Sequence, residues 1–234
     1  MKTLSEDQVL EALTKVSDPD LGRDIVSLGF IKNLVIRENR VSFTIELTTP
    51  ACPVKDQMRD EAYAAVSALP GVDNVDIEMT ATVRSATPES DRSPIPGIKN
   101  IIAVGAGKGG VGKTTVAVNL AVSLARSGGK VGIIDGDIYG PNVPIMLGID
   151  SKLESTGKKI IPAEKGGIRV VSMGFLTDDK APVIWRGPML HGVVRQFFQD
   201  VQWGELDYLV IDMPPGTGDV ALSLNQTVPV AGAI

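Results

Sequence analysis

Soft metal ligands are nearly missing from these 234 residues, which hold one cysteine, Cys52, and one histidine, His191. One thiol excludes an internal disulfide framework, and one thiol with one imidazole excludes a closed zinc or cluster site built by a single chain. Any metal held by Cys52 would need ligands from another subunit. Positive charge is also sparse. Residues 1–96 carry 10 Lys+Arg against 16 Asp+Glu and residues 97–234 carry 13 against 12, for a net charge of -5. Neither part has the dense basic stripe of a nucleic-acid binder. No apolar run approaches the roughly 18 residues of a membrane span. The opening "MKTLSEDQVL" places acidic residues where a signal peptide would be apolar, so a cytoplasmic protein without nucleic-acid or membrane partners is expected. A hydrophobic content of 43% is ample for one large core or two modest ones.

The first third reads as a compact α-β-β-α-β unit over residues 1–83. A helix is predicted over 5–16, with Ser5 and Gln8 spaced as a capping box, Val9, Leu13 and Val16 on one face, and Asp18-Pro19 as its stop. "FIKNLVI" and "VSFTIEL" flank "RENR", and Val41, Phe43, Ile45 and Leu47 alternate with polar residues as in a half-buried hairpin strand. A second helix is predicted from about Pro53 to Leu69, and "NVDIEM" supplies a third strand. The stretch 84–96, "RSATPESDRSPIP", is rich in Ser, Pro and charge without an apolar period, the composition of a linker.

From residue 97 the pattern changes. "IIAVGA", "KVGIID" and "DYLVID" are unbroken apolar runs ending in small or acidic residues and separated by helical segments. That is the signature of parallel strands covered on both faces, a doubly wound α/β sheet over 97–234. Between the first of these strands and the helical "TTVAVNLAVSLARSG" lies "GKGGVGKTT". Glycines at 107, 109, 110 and 112 let successive backbone N–H groups converge on phosphate oxygens, and the helix start adds its positive end. The expected phosphate-binding set is Gly107, Lys108, Gly109, Gly110, Val111, Gly112, Lys113, Thr114 and Thr115, with Lys113 reaching the outer phosphates and Thr114 ligating Mg²⁺. Asp212 ends one strand where an aspartate can serve the Mg²⁺ shell, and "PPGTGD" after it reads as a segment able to sense a terminal phosphate. Asp135 and Asp137 end another, the latter placed to orient an attacking water. Three such elements together favour a nucleoside triphosphatase.

"GKGGVGKTT" resembles the deviant phosphate loop of the MinD/ParA/nitrogenase-iron-protein class. Together with "DGDIYGPN", "WRGPM" and "DMPPGTGD" it resembles the Mrp/ApbC family of iron-sulfur cluster carriers, while "DPDLGRDIVSLGFI" and "TTPACP" are similar to the MIP18-like domain fused to bacterial members. The resemblance implies an ATP- and Mg²⁺-dependent homodimer that builds or holds a [4Fe-4S] cluster and passes it to apo iron-sulfur client proteins. It also implies a role for Lys108, which in the class reaches across the dimer to phosphates bound by the other subunit, so that hydrolysis depends on the dimer.

Family members carry a further Cys-x-x-Cys whose thiolates bridge the cluster between subunits. This sequence has none and stops at "VPVAGAI", so it is expected to be a C-terminally truncated carrier with an incomplete sheet. Cys52, between Pro50 and Pro53 ahead of a helix, is either a small buried residue or an iron-sulfur ligand activated by the helix start. In "WRGPM", Arg186 is a contact near a subunit junction or Trp185 an anchor for the next helix. That helix spaces Leu190, Val193, Val194, Phe197 and Phe198 as core residues and leaves His191 without a role. Two other readings remain open: a positioning ATPase of the MinD/ParA kind, and an adaptor in which the nucleotide is only a switch.

Overall fold

Ser5 closes the amino end of the first helix, α1 (Glu6–Leu13), by the expected reciprocal pair: Gln8 N–H donates to Ser5 Oγ at 3.4 Å and Ser5 N–H to Gln8 Oε1 at 3.1 Å. The computed structural model describes residues 4–83, 85, 95–137, 140–150, 154–156, 159–175, 196–216 and 228–234. They fall into two compact units, Met1–Arg84 and Ser85–Ile234. Arg84 and residues 86–94 of the expected linker, and Trp185, Arg186, Leu190, His191, Val193 and Val194, lie outside the described residues.

In the first unit α1 stops at Leu13, three residues earlier than its apolar spacing suggests. Thr14 Oγ1 turns back to donate to Glu11 O at 2.7 Å, and the chain leaves as β1 (Ser17–Asp18), paired antiparallel with β2 (Arg23–Asp24). The buried carboxylate of Asp18 holds the intervening turn, Oδ1 accepting from the N–H groups of Asp20 (2.8 Å) and Leu21 (3.1 Å). Then β3 (Ile31–Arg37) and β4 (Arg40–Leu47) form the hairpin, α2 (Lys55–Ser67) crosses over, and β5 (Asn74–Ala81) returns parallel to β4. The sheet order is β3-β4-β5. Val41, Phe43, Ile45 and Leu47 face one way into a core closed by Val9 and Leu13 of α1 and Met58, Ala62 and Val66 of α2. The second helix starts at Lys55 rather than near Pro53, because Cys52–Val54 form a turn that brings Lys55 N–H to Cys52 O at 3.5 Å.

Among the described residues the main sheet of the second unit has six strands: β6 (Ile98–Val104), β7 (Val131–Asp135), β10 (Ala163–Lys165), β11 (Ile168–Ser172), β12 (Leu206–Asp212) and β13 (Gly232–Ala233). Their order is β10-β11-β7-β12-β6-β13, parallel except for β10, which is a hairpin partner of β11; β8 (Glu154–Thr156) and β9 (Lys159–Ile161) form a separate pair. Alternate residues of each parallel strand go to opposite faces. Ile133, Val170 and Val210 join Ala117, Val118 and Ala121 of α3 (Lys113–Arg126), whereas Ile134, Val171, Leu209 and Ile211 join Phe197, Phe198 and Trp203. Burial on both faces is why these strands read as continuous apolar runs, and the unit is a mostly parallel α/β sheet wound on both sides. Gly132 shows how tightly the second face closes: a Cβ there would lie 2.7 Å from Leu206 Cδ1 and 2.9 Å from Trp203 Cζ3. Among the described residues no helix is long and apolar enough to cross a membrane.

Candidate functional site

Strand register assembles the site. Asp212 pairs with Val104 of β6 on one side and Asp135 of β7 on the other, and Asp135 pairs with Ser172 of β11. Four strands thus end level, and the loops leaving them converge at their carboxyl ends, where sheets of this type bind ligands. The loop after Val104 reaches α3 through Gly110 (φ +75°) and Gly112 (φ +92°), left-handed positions that glycine adopts without strain. Hypothetical Cβ atoms at Gly107, Gly109, Gly110 and Gly112 meet nothing within 4 Å, so this backbone borders open space. No described side chain caps α3, which leaves its amino end to an outside acceptor.

The open space is a cavity of about 280 Å³ lined by Lys108, Lys113, Thr114 and Thr115 from the loop and helix, Asp137, Asn142 and Met146 from the segment after β7, and Pro215 after β12. At its base Lys113 is buried, its Nζ donating to Asp212 Oδ1 at 2.6 Å, while Thr114 Oγ1 donates to Asp212 Oδ2 at 2.6 Å. Asp212 is fully buried. One carboxylate therefore bridges an ammonium and a hydroxyl that are neighbours on the first turn of α3, across 99 residues of sequence. This donor set fits a triphosphate with a hard divalent cation: a cation and backbone N–H groups for phosphate oxygens, a hydroxyl and a carboxylate for the metal. Backbone bonds tie the other loops to the same floor, Gly136 N–H donating to Asp212 O (2.9 Å) and Gly216 N–H to Ala106 O (3.0 Å).

Asp135 differs from its strand-end neighbour. It too is fully buried, yet among the described residues no cation faces it. Oδ1 accepts from Asp137 N–H (3.1 Å) and Oδ2 from Val143 N–H (3.1 Å) and Ser172 Oγ (3.0 Å). Burial pushes its carboxyl up to about 6 against these three hydrogen bonds, and the charge of Asp212 adds to the rise. Asp137 is half-buried at the cavity wall, with Oδ1 accepting from Gly140 N–H at 3.2 Å. Lys108 is exposed at the mouth, whereas Val111, also exposed, and Gly107 are not among the residues that line the cavity.

The structure thus gathers Lys108, Gly109, Gly110, Gly112, Lys113, Thr114, Thr115 and Asp137 around one cavity, floors it with Asp212, and sets Asp135 behind it. Cys52 is elsewhere. It is 9% exposed in the core of the first unit with Met58 and Ala62, and it precedes Val54, the N-cap residue of α2, instead of lying in the helix's first turn. Among the described residues no group of three or more His, Cys, Asp and Glu is placed to hold a metal. Sequence reasoning missed Asn142, Met146 and Ser172. The run "IRVVS", apolar and ending in a small polar residue, carries the signal that marked the other three parallel strands and could have found Ser172.

The family model described as NUBPL iron-transfer P-loop NTPase matches residues 97–234, and one described as iron-sulfur cluster assembly protein matches residues 6–78. An iron-sulfur cluster carrier protein of Synechocystis sp. is 50% identical over 236 residues, covering 99% of this chain and 67% of its own length. The chloroplastic Fe-S cluster assembly factor HCF101 of Arabidopsis thaliana is 50% identical over 238 residues, covering 98% of this chain and 44% of its own. A nucleotide-binding protein from Archaeoglobus fulgidus, solved with ADP, is 42% identical with a TM-score of 0.49, over 56% of this chain and 51% of that one. The chain spans about two thirds of the length of the bacterial relative and less than half of the plant one.

Proposed function

This chain belongs to the iron-transfer P-loop NTPase family, with an iron-sulfur cluster assembly module at its amino end, and on that premise we propose that it binds and hydrolyses ATP as part of a homodimeric carrier that passes a [4Fe-4S] cluster to apo iron-sulfur proteins. The observation that carries the ATPase part is the bridge from Asp212 to both Lys113 and Thr114 beneath the glycine loop.

Phosphoryl transfer needs little covalent help from the protein and depends on positioning and on neutralising charge. Lys113 supplies the buried cation, and the amides from Gly107 to Thr115 supply donors. Thr114 Oγ and Asp212 would hold Mg²⁺, which when bound neutralises phosphate charge. When Lys113 turns to phosphate, Asp212 is released from the ammonium and keeps Thr114, the pair that would hold the metal. Asp137, on the cavity wall, orients the water. Lys108, exposed at the mouth, supplies its charge to the partner copy's nucleotide, which ties hydrolysis to dimer formation.

The cluster is cargo. A cubane takes four thiolates and this chain supplies Cys52 alone, buried in an apolar core. Cys52 is therefore not given the cluster to hold by itself. Calorimetry with ATP and Mg²⁺, followed by a phosphate-release assay across protein concentration, tests the ATPase reading. Binding with turnover that rises with dimer formation is expected. Binding without phosphate release at any concentration would leave a nucleotide switch in place of an enzyme.

A further inference from the structure

We infer that the turn Ser172–Gly174, outside the nucleotide cavity, positions the segment that carries Asp137; the inference rests on the ATPase reading above for its consequence in turnover. The segment between β7 and α4 (Val143–Leu147) must place Asp137 on the cavity wall, and its two ends are tied to one buried group. Asp135 takes the N–H of Asp137 on one oxygen and the N–H of Val143 on the other. The oxygen that holds Val143 is shared with Ser172 Oγ at 3.0 Å, and Ser172, itself fully buried, accepts from Gly174 N–H at 3.0 Å. The hydroxyl therefore donates to Asp135 with its only proton and accepts from the following turn, which fixes its rotamer. A second contact is independent of that hydrogen-bond chain. Gly174 lies directly against Pro141: a Cβ at 174 would be 2.9 Å from Pro141 Cγ, closer than carbon atoms approach, and a tight 3.1 Å from Pro141 Cβ, so either the turn or the proline would have to shift. Pro141 stands between Gly140, whose N–H donates to Asp137 Oδ1, and Asn142, the N-cap residue of α4 that lines the cavity. The Ser172–Gly174 turn thus holds the segment at its anchor and at its middle, without itself touching the nucleotide cavity.

A serine that only satisfied a buried carboxylate would matter for stability and nothing else. Positioning makes a different demand. Ser172→Ala and Gly174→Ala should leave the ATP dissociation constant within about threefold, because the glycine loop, Lys113 and Thr114 are untouched, while lowering kcat about tenfold, the value of one well-placed hydrogen bond or a small misplacement of a reacting group. Ser172→Thr, which keeps the hydroxyl, should recover most of the rate lost in Ser172→Ala. The second readout needs no turnover: in the nucleotide-free protein, amide hydrogen exchange at Asp137 and Val143 should quicken about fivefold to tenfold in Ser172→Ala, with exchange in β6 and β12 unchanged. Unchanged exchange at Asp137 and Val143 would overturn the inference, as would a kcat equal to that of the parent in both Ala variants. A parent protein that releases no phosphate would strike the ATPase reading alone, since the exchange measurement judges the link between turn and segment by itself.

Discussion

Lys113→Ala should weaken the protein before any nucleotide is added, and the size of that effect follows from the floor of the site. Asp212 is fully buried, with one oxygen on Lys113 Nζ and the other on Thr114 Oγ1, each at 2.6 Å. Removing one member of a buried ion pair costs about 3–5 kcal/mol when the remaining charge stays dry. Here the vacated volume opens on a cavity of about 280 Å³ and Thr114 remains as a donor, so water can replace part of what is lost. An intermediate cost of about 2–3 kcal/mol is expected. The assay is urea unfolding followed by tryptophan fluorescence. Both tryptophans, 185 and 203, belong to the second unit, so the signal reports that unit alone. With a urea slope near 2 kcal/mol/M, the midpoint should fall by about 1–1.5 M. Adding Asp212→Asn to Lys113→Ala removes the stranded charge and should restore at least half of the loss. ATP binding should not return with it, because phosphate would still lack its side-chain cation, worth tenfold to a hundredfold in affinity. A midpoint within about 0.3 M of the parent, or a double variant no more stable than the single one, would refute the ion-pair reasoning. Near-normal ATP affinity in Lys113→Ala would refute the placement of phosphate.

Lys108→Ala is expected to behave in the opposite way: exposed at the cavity mouth and free of the Asp212 bridge, it should change neither unfolding nor ATP affinity by much, yet cut dimer-dependent phosphate release by about 10³. Hydrolysis at the parent rate would refute its proposed role across a dimer. Cys52, in the apolar core of the first unit, should react with a maleimide at least about a hundredfold more slowly in the native protein than in urea, and Cys52→Ser should destabilise that unit by about 1–2 kcal/mol; fast native labelling would contradict the burial. Asp207 is opposed by burial but accepts from Lys130 N–H (2.9 Å) and Lys99 Nζ (2.8 Å), and its carboxyl is lowered below the ordinary carboxylate value. The folded chain then holds this proton less tightly than the unfolded one, so the stability Asp207 contributes is complete above about pH 4 and is lost as the pH falls through the lowered value. Asp207→Asn should flatten that part of the acid unfolding curve of the second unit, and a curve unchanged from the parent's would show the pair to be idle.

What the sequence disclosed and what it concealed divide along the range of the interactions involved. The capping box of Ser5 and Gln8 and the alternation from Val41 to Leu47 are written in neighbouring residues, and both are found where the spacing puts them. The glycine loop is local as well, since its left-handed positions at 110 and 112 require glycine wherever the rest of the chain lies. Helix ends were less legible. Thr14 and Asp18 stop α1 early through side-chain bonds to nearby backbone that compete with the helix, and apolar spacing carries no trace of them. The strand-end aspartates were visible as a pair of similar residues, but their difference was not. Asp212 meets Lys113 because β12 lies beside β6, and Asp135 meets Ser172 because β7 lies beside β11. Two carboxylates that both read from sequence as strand-end residues of the nucleotide site therefore separate in the fold: Asp212 neutralises a cation under the loop, and Asp135, with no described cation beside it, is an anchor whose value lies in the backbone N–H groups it holds. Sheet order decides which is which, and sheet order is set by packing over a hundred residues, so a motif can name the candidates for such a site while only their neighbours across the sheet assign the parts.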